Sequence, residues 1–306
     1  DPVPKLPELF YRPEGRAVAP VKRDYIDLCC RLFVERFAEP IDRWCRENGM
    51  VFTGHVLHED SLVNQTVPNG SLMRFYEHMG YPGIDVLGEG NRCWWVAKQL
   101  DSAARQCGEA WRLSELYGCT GWQMDFRSHK AVGDWQALFG VNVRCPHLSW
   151  YTMEGEAKRD YPASILHQSP WYADYDLVES YFARFGVLMS EGEPACDVLV
   201  LNPIESVWCQ AYAGWANWIY SADPAASALE RQYAELFGQL AGRQIDFDYG
   251  EEEMLSRLAA VEQTAGGRPV LRVGRAAYRV VVVSGMVTMR PSTAALLSAF
   301  LEAGGT

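Results

Sequence analysis

The sequence has no long apolar run. Nothing in it approaches the roughly 20 residues that a helix needs to cross a bilayer, so no membrane partner is expected. Positive charge is scarce as well, with 28 Lys and Arg against 39 Asp and Glu and a formal net charge of −11. Nucleic acids and anionic membranes demand a basic footprint, so neither is expected as the main partner. There is no Gly-x-Gly-x-x-Gly and no Gly-x-x-x-x-Gly-Lys-Ser/Thr, hence no nucleotide signature. Gly-x-Ser-x-Gly and His-Glu-x-x-His are missing too, which removes the usual serine-hydrolase and zinc-protease readings. No Cys-x-x-Cys occurs. The nine cysteines are odd in number and irregularly spaced, with Cys29 and Cys30 adjacent. They read as reduced, buried thiols in a cytoplasm-like compartment. The opening Asp1-Pro-Val-Pro-Lys-Leu-Pro lacks the basic-then-apolar order of a signal peptide.

What is present is apolar and aromatic. Of 306 residues, 48 % are hydrophobic, enough for two domains or one large barrel. Eleven Trp and fifteen Tyr are many for this length. Sugars offer flat C–H faces that stack on aromatic rings, so carbohydrate enzymes use such residues; core filling is the competing explanation for any one of them.

Periodicity predicts alternating helices and strands. Tyr25, Leu28, Leu32, Phe33, Phe37, Ile41 and Trp44 outline an amphipathic helix over Val21 to Asn48, interrupted near Pro40. Strands are expected at Val51 to His55, Gly83 to Gly88, Ala110 to Glu115 and Gly140 to Cys145. Helices are expected at Leu72 to Met79, Val96 to Cys107 and Phe126 to Phe139. This gives about four βα units and a parallel sheet before residue 150. A second α/β region follows. Its strands are expected at Asp197 to Leu201, Gln244 to Tyr249 and Tyr278 to Val283. Its helices are expected at Tyr175 to Ser190, Ala226 to Leu240, Glu251 to Glu262 and Pro291 to Leu301. It reads as a doubly wound domain of flavodoxin or amidotransferase type, in which Asp246 and Asp248 serve as caps.

Two glutamates stand where apolar strands give way to loops: Glu59 and Glu115. Two carboxyls at the ends of parallel strands can flank one bond and share acid–base work, as glycosidic cleavage requires. A carboxyl near an apolar strand end has its pKa raised, which suits Glu59 to general acid catalysis; the alternative is a solvated loop residue. Glu115 lies inside an apolar run, where a carboxylate is costly without a purpose or partner. It would activate water or attack directly; the alternative is an ion pair with Arg144. His55, Asp85, Trp122, His147 and Tyr151 are candidates for substrate binding. His55, His58 and Asp60 resemble metal ligands on paper, but strand positions three apart face opposite ways, so no metal site is expected.

The order of short motifs adds to this. Thr53-Gly-His55, Glu59-Asp60, Pro82-Gly-Ile-Asp85, Lys98-Gln99, Ser114-Glu115, Gly121-Trp122, Asp134-Trp135, Gly140-Val-Asn142, His147 and Lys158-Arg-Asp-Tyr-Pro162 together resemble TIM-barrel glycoside hydrolases. The likeness is to the α-L-rhamnosidase type, glycoside hydrolase family 106, and next to β-galactosidase-like barrels followed by a flavodoxin-like domain. It implies cleavage of a terminal rhamnose- or galactose-type sugar from a polysaccharide or glycoside, with Glu59 as acid. It leans towards inversion and allows a calcium ion on sugar hydroxyls; no other cofactor is expected. A full (β/α)₈ barrel typically takes about 250 residues. The expectation is therefore that residues 1–165 are the C-terminal part of a barrel and 166–306 a flavodoxin-like domain, with companion domains or another copy of the chain supplying the rest. A non-catalytic carbohydrate-binding or assembly subunit is the alternative function.

Overall fold

The computed structural model describes residues 3–11, 15–16, 18–156, 161–210 and 223–306. Lys158 to Asp160 of the motif series lie outside the described residues. The helix over the first amphipathic segment runs on past its expected interruption. α1 (Pro20–Phe33) opens on Pro20 at its first turn, where no N–H is missed, and α2 (Glu39–Glu47) begins next to Pro40. Between them Val34–Ala38 winds as a π-helix. Across this wider turn the Glu39 N–H reaches the Val34 carbonyl, and the helical assignment runs on through Pro40. The buried face is not the expected stripe. Ile26, Cys30, Val34 and Ala38 face inward, while Leu28, Leu32, Phe37 and Trp44 are at least 40 % exposed.

β1 (Thr53–Gly54), β2 (Tyr81–Asp85), β3 (Leu113–Leu116) and β4 (Val143–Pro146) form one parallel sheet in the order β1-β2-β3-β4. Two short helices, α3 (Leu62–Thr66) and α4 (Leu72–Tyr76), link β1 to β2; α5 (Trp95–Cys107) links β2 to β3 and α6 (Phe126–Leu138) links β3 to β4. Asp125 caps α6, accepting from the Ser128 N–H at 2.8 Å. The register places Asp85 beside Glu115 and Glu115 beside Cys145, so these three stand in a row at the C-terminal ends of adjacent strands.

After α7 (Asp176–Glu191) comes β5 (Val198–Leu201), then α8 (Ile204–Trp208), α9 (Pro224–Gly242), β6 (Asp248–Gly250) and α10 (Glu252–Leu258). The expected helix to Glu262 ends at Leu258. Residues beyond it become β7 (Ala259–Gln263), which turns through Thr264 to Arg268 into β8 (Pro269–Val273) and β9 (Ala276–Tyr278), an antiparallel meander. Gly266-Gly267, a hairpin signal, was the clue in the sequence. The expected strand Tyr278 to Val283 is divided: Tyr278 ends β9, and β10 (Val280–Val282) joins a second parallel sheet in the order β10-β5-β6. α11 (Pro291–Glu302) closes the described chain.

The two regions share one core. Ile84, Val96 and Leu100 pack in the same cluster as Val200, Trp208, Phe237 and Tyr249. Two buried ion networks cross the same junction. Lys98 meets Asp101 and Asp246 at 3.0 Å, and Arg105 meets Asp248 at 3.0 Å. Asp246 and Asp248 therefore bind cations of α5, a role the sequence reading had given to capping. Arg74 donates to Glu251 and Glu205 at 2.8 Å and to Asp27 at 2.7 Å, and Arg290 adds a second guanidinium against Glu205 and Asp27. Charges this dry persist only where each has a partner.

Candidate active site

The row Asp85–Glu115 faces the loop that follows β1. In that loop, His55 places its two ring nitrogens against acceptors. Nδ1 lies 2.9 Å from the Val56 carbonyl, and Nε2 lies 2.9 Å from Glu115 Oε2. Asp85 Oδ2 stands 4.0 Å from Nδ1. A carbonyl and a carboxylate each call for an N–H, so the geometry favours the doubly protonated ring. Burial opposes that charge, but the Val56 carbonyl and the charges of Asp85, Glu59 and Glu115 outweigh it and raise the His55 pKa. Glu115 is thus held by His55. Arg144, its expected partner on the structural reading, pairs with Glu179 at 3.0 Å.

Glu59 occupies a different environment. It is only 4 % exposed, so the solvated-loop reading fails. Its Oε2 accepts the Asp85 backbone N–H at 2.7 Å, and its Oε1 accepts from the Tyr76 hydroxyl at 3.3 Å. Gln65 Nε2 donates to the Glu59 carbonyl at 2.7 Å and to Gln99 Oε1 at 3.0 Å, fixing the loop from beneath. Burial pushes the Glu59 carboxyl up to about 8, against the pull of the Asp85 N–H and of His55. The acid is therefore protonated at neutral pH. Asp85 is raised as well, chiefly by burial, with His55 opposing and Glu115 adding to the shift. Its Oδ1 is buried without a hydrogen-bond partner.

The surrounding loops are bent where side chains rarely allow it. His58, Tyr117 and Cys119 take φ values of 55°, 71° and 60°. Such conformations cost about 1–3 kcal/mol each and persist where the surroundings hold them. A cavity of about 180 Å³ opens beside Glu59, lined also by His58, Asp60, Asp85, Asn91 and Cys93.

The sequence candidates divide. His55, Asp85 and Glu115 bring donor atoms within 4.8 Å of one another, and Glu59 joins them through the Asp85 N–H, although His55 and Glu115 do not line the Glu59 cavity. His147 lies near it: its charge acts on Asp85, and a Cβ on Gly118 would meet its ring at 3.1 Å. Trp122 is 38 % exposed, edge-on to Trp150 at 5.6 Å, and Tyr151 stands 95 % exposed. Neither lines the Glu59 cavity. Tyr76 and Asn91 were not foreseen. Tyr76 arrives from a helix and carries no local signal; Asn91 sits in the glycine-rich loop Gly88-Glu-Gly-Asn91, whose composition marked a close approach of backbone.

One metal-ligand grouping was also not foreseen. His55, Asp85 and Glu115 offer donor atoms within 4.8 Å of one another. One imidazole and two carboxylates suit zinc or manganese; calcium prefers six to eight oxygens. The set fits calcium poorly.

Among the described residues no helix is long and apolar enough to cross a membrane. No family model matches the chain. No curated protein matches it in sequence. Solved structures do share its fold. A rhamnosidase from Novosphingobium sp. PP1Y superposes with a TM-score of 0.66 at 18 % identity, over 93 % of this chain and 25 % of that one. A GH42 β-galactosidase from G. stearothermophilus superposes with a TM-score of 0.53 at 12 % identity, over 90 % of this chain and 39 % of that one. The chain spans about a quarter of the rhamnosidase and two fifths of the β-galactosidase. Its mixed α/β fold, with a parallel sheet, is similar to that of these two glycoside hydrolases.

Proposed function

We propose that the chain is the acid–base portion of a glycoside hydrolase acting on a terminal rhamnose- or galactose-type sugar. The observation that carries this is the contrast between two carboxyls that both act on His55. Glu59 is buried, with its proton retained at neutral pH, while the Glu115 side chain is 26 % exposed and ion-paired with His55. Environments that push two carboxyls apart assign acid and base.

Glu59 then protonates the departing glycosidic oxygen, and Glu115 activates water or attacks the anomeric carbon. His55 orients Glu115. Asp85, whose side chain is about a third exposed, accepts hydrogen bonds from sugar hydroxyls. On this reading the sequential strands β1 to β4 are four staves of a (β/α)₈ barrel whose site sits at the C-terminal strand ends. Residues 166–306 are read as a flavodoxin-like domain because the winding reverses at β5, which lies between β10 and β6.

The test is hydrolysis of nitrophenyl α-L-rhamnoside and β-D-galactoside, compared with disaccharides of the same sugars. Glu115→Gln should lose about 10²–10⁴-fold in kcat on every substrate. Glu59→Gln should lose far more on disaccharides than on nitrophenyl glycosides, whose leaving group needs no proton. Wild-type rates in the Glu115→Gln enzyme would sink the reading, and product anomers read by NMR decide between retention and inversion.

A further inference from the structure

A second cavity, of about 510 Å³, lies beside the one that holds Glu59. The loop after β2 supplies one wall, with Gly88 and Asn91. The loop after β3 and the first turn of α6 supply the other, with Thr120, Gln123 and Ser128. Asn91 lines both cavities. It is fixed there by its own turn: its Oδ1 accepts from the Gly88 N–H at 3.2 Å, and its N–H donates to the Gly88 carbonyl at 3.1 Å. Thr120 is anchored by donating its hydroxyl to the Tyr117 carbonyl at 2.7 Å.

The lining selects a ligand class. Amides and hydroxyls from Asn91, Thr120, Gln123 and Ser128 offer donors and acceptors in a small space, with Leu87 and Met124 as apolar surface. Among the described residues no Lys, Arg or His lines this cavity, whereas Glu89 does. Among these residues a phosphate, sulfate or uronate would find no counter-charge and one repulsive carboxylate. A neutral polyol with a C–H face fits both surfaces. The Glu59 cavity, at about 180 Å³, is much smaller than its neighbour. A general acid must also sit on the side from which the leaving group departs.

We propose that the larger cavity is the leaving-group site and takes a neutral sugar unit, with Asn91 at the border between the two sugars. The substrate is then a neutral disaccharide unit or longer. This deepens the glycosidase reading and rests on it for the role of leaving-group site; sugar binding can be measured without turnover.

The experiment uses the full chain carrying Glu115→Gln, titrated calorimetrically with a rhamnosyl-glucose disaccharide, lactose, their glucuronate counterparts, and free rhamnose and galactose. One neutral disaccharide should bind at least about tenfold tighter than its terminal monosaccharide and than its glucuronate counterpart. Adding Gln123→Ala and Ser128→Ala should weaken the disaccharide at least about tenfold more than the monosaccharide. Both positions lie outside the hydrophobic core, and an unchanged melting temperature confirms folding. Equal affinity for disaccharide and monosaccharide, an equal loss of both on the double substitution, preference for the glucuronate, or no sugar bound would each overturn the proposal. Neutral-disaccharide binding with this pattern in a chain that hydrolyses nothing supports the sugar site and overturns the glycosidase reading. Hydrolysis without the pattern does the reverse.

Discussion

Glu59 is tied to Asp85 by a single backbone hydrogen bond: its Oε2 accepts the Asp85 N–H at 2.7 Å. The bond joins the loop after β1 to the last residue of β2. It fixes a buried acid beside a strand end whose own side chain faces Glu115.

This acid should give the protein a pH signature. Glu59 has a folded pKa of about 8 against an ordinary value of 4.5. Its folded pKa is raised, so its stabilising contribution is complete below about 4.5 and is lost as pH rises to about 8. The full span is worth on the order of 5 kcal/mol. Denaturant unfolding at pH 5 and pH 8.5 should show wild type losing stability relative to Glu59→Gln at the higher pH. Turnover should likewise fall above pH 8, as the acid loses its proton, and the substitution should remove that limb. A wild-type to variant gap that does not change with pH would contradict the assignment.

His55 acts through Glu115, so its removal should disturb orientation more than binding. His55→Ala is expected to lower kcat about 10²-fold with a smaller change in KM. His55→Asn, which keeps one donor, should recover part of the loss. A rise in KM alone would place His55 in substrate binding instead.

The junction between the two regions depends on Arg74. It is 5 % exposed and serves Glu251, Glu205 and Asp27. Arg74→Met strands buried carboxylates and should cost about 3–5 kcal/mol in unfolding free energy. Glu205, already pushed to about 7 by burial and by Glu251, would take up a proton more readily. The variant should therefore regain stability as pH falls from 8 to 6. Flat stability across that range would argue against the network.

The meander docks on α5 through one tight turn. Gly274 has φ of 54°, and a Cβ there would stand 2.1 Å from the Gln106 carbonyl oxygen. Gly274→Ala should destabilise the chain by more than about 1 kcal/mol, through both strain and clash. Thermal melting measures it. An unchanged midpoint would mean that β8 and β9 do not pack on α5 as described.

Much of this was legible in the sequence. Helix and strand periods placed the alternating elements of the first region, because each buries one face and the pattern repeats every few residues. Glu59 and Glu115 stood out since a carboxylate after an apolar run is costly unless used. The boundary at Leu258 was lost because Glu251 to Glu262 reads well as one helix, and only pairing with β8 turns its end into strand. The division after Tyr278 was lost for the same reason: a continuous apolar run serves two sheets.

The sequence alone determined that helices and strands alternate and that acidic residues follow the strands, since those properties are local. Tertiary structure decided which stripe of the first helix is buried. It also decided that His55 rather than Arg144 meets Glu115, and that Glu59 is dry. Each of these depends on which distant segment arrives beside the residue, and no local spacing encodes that.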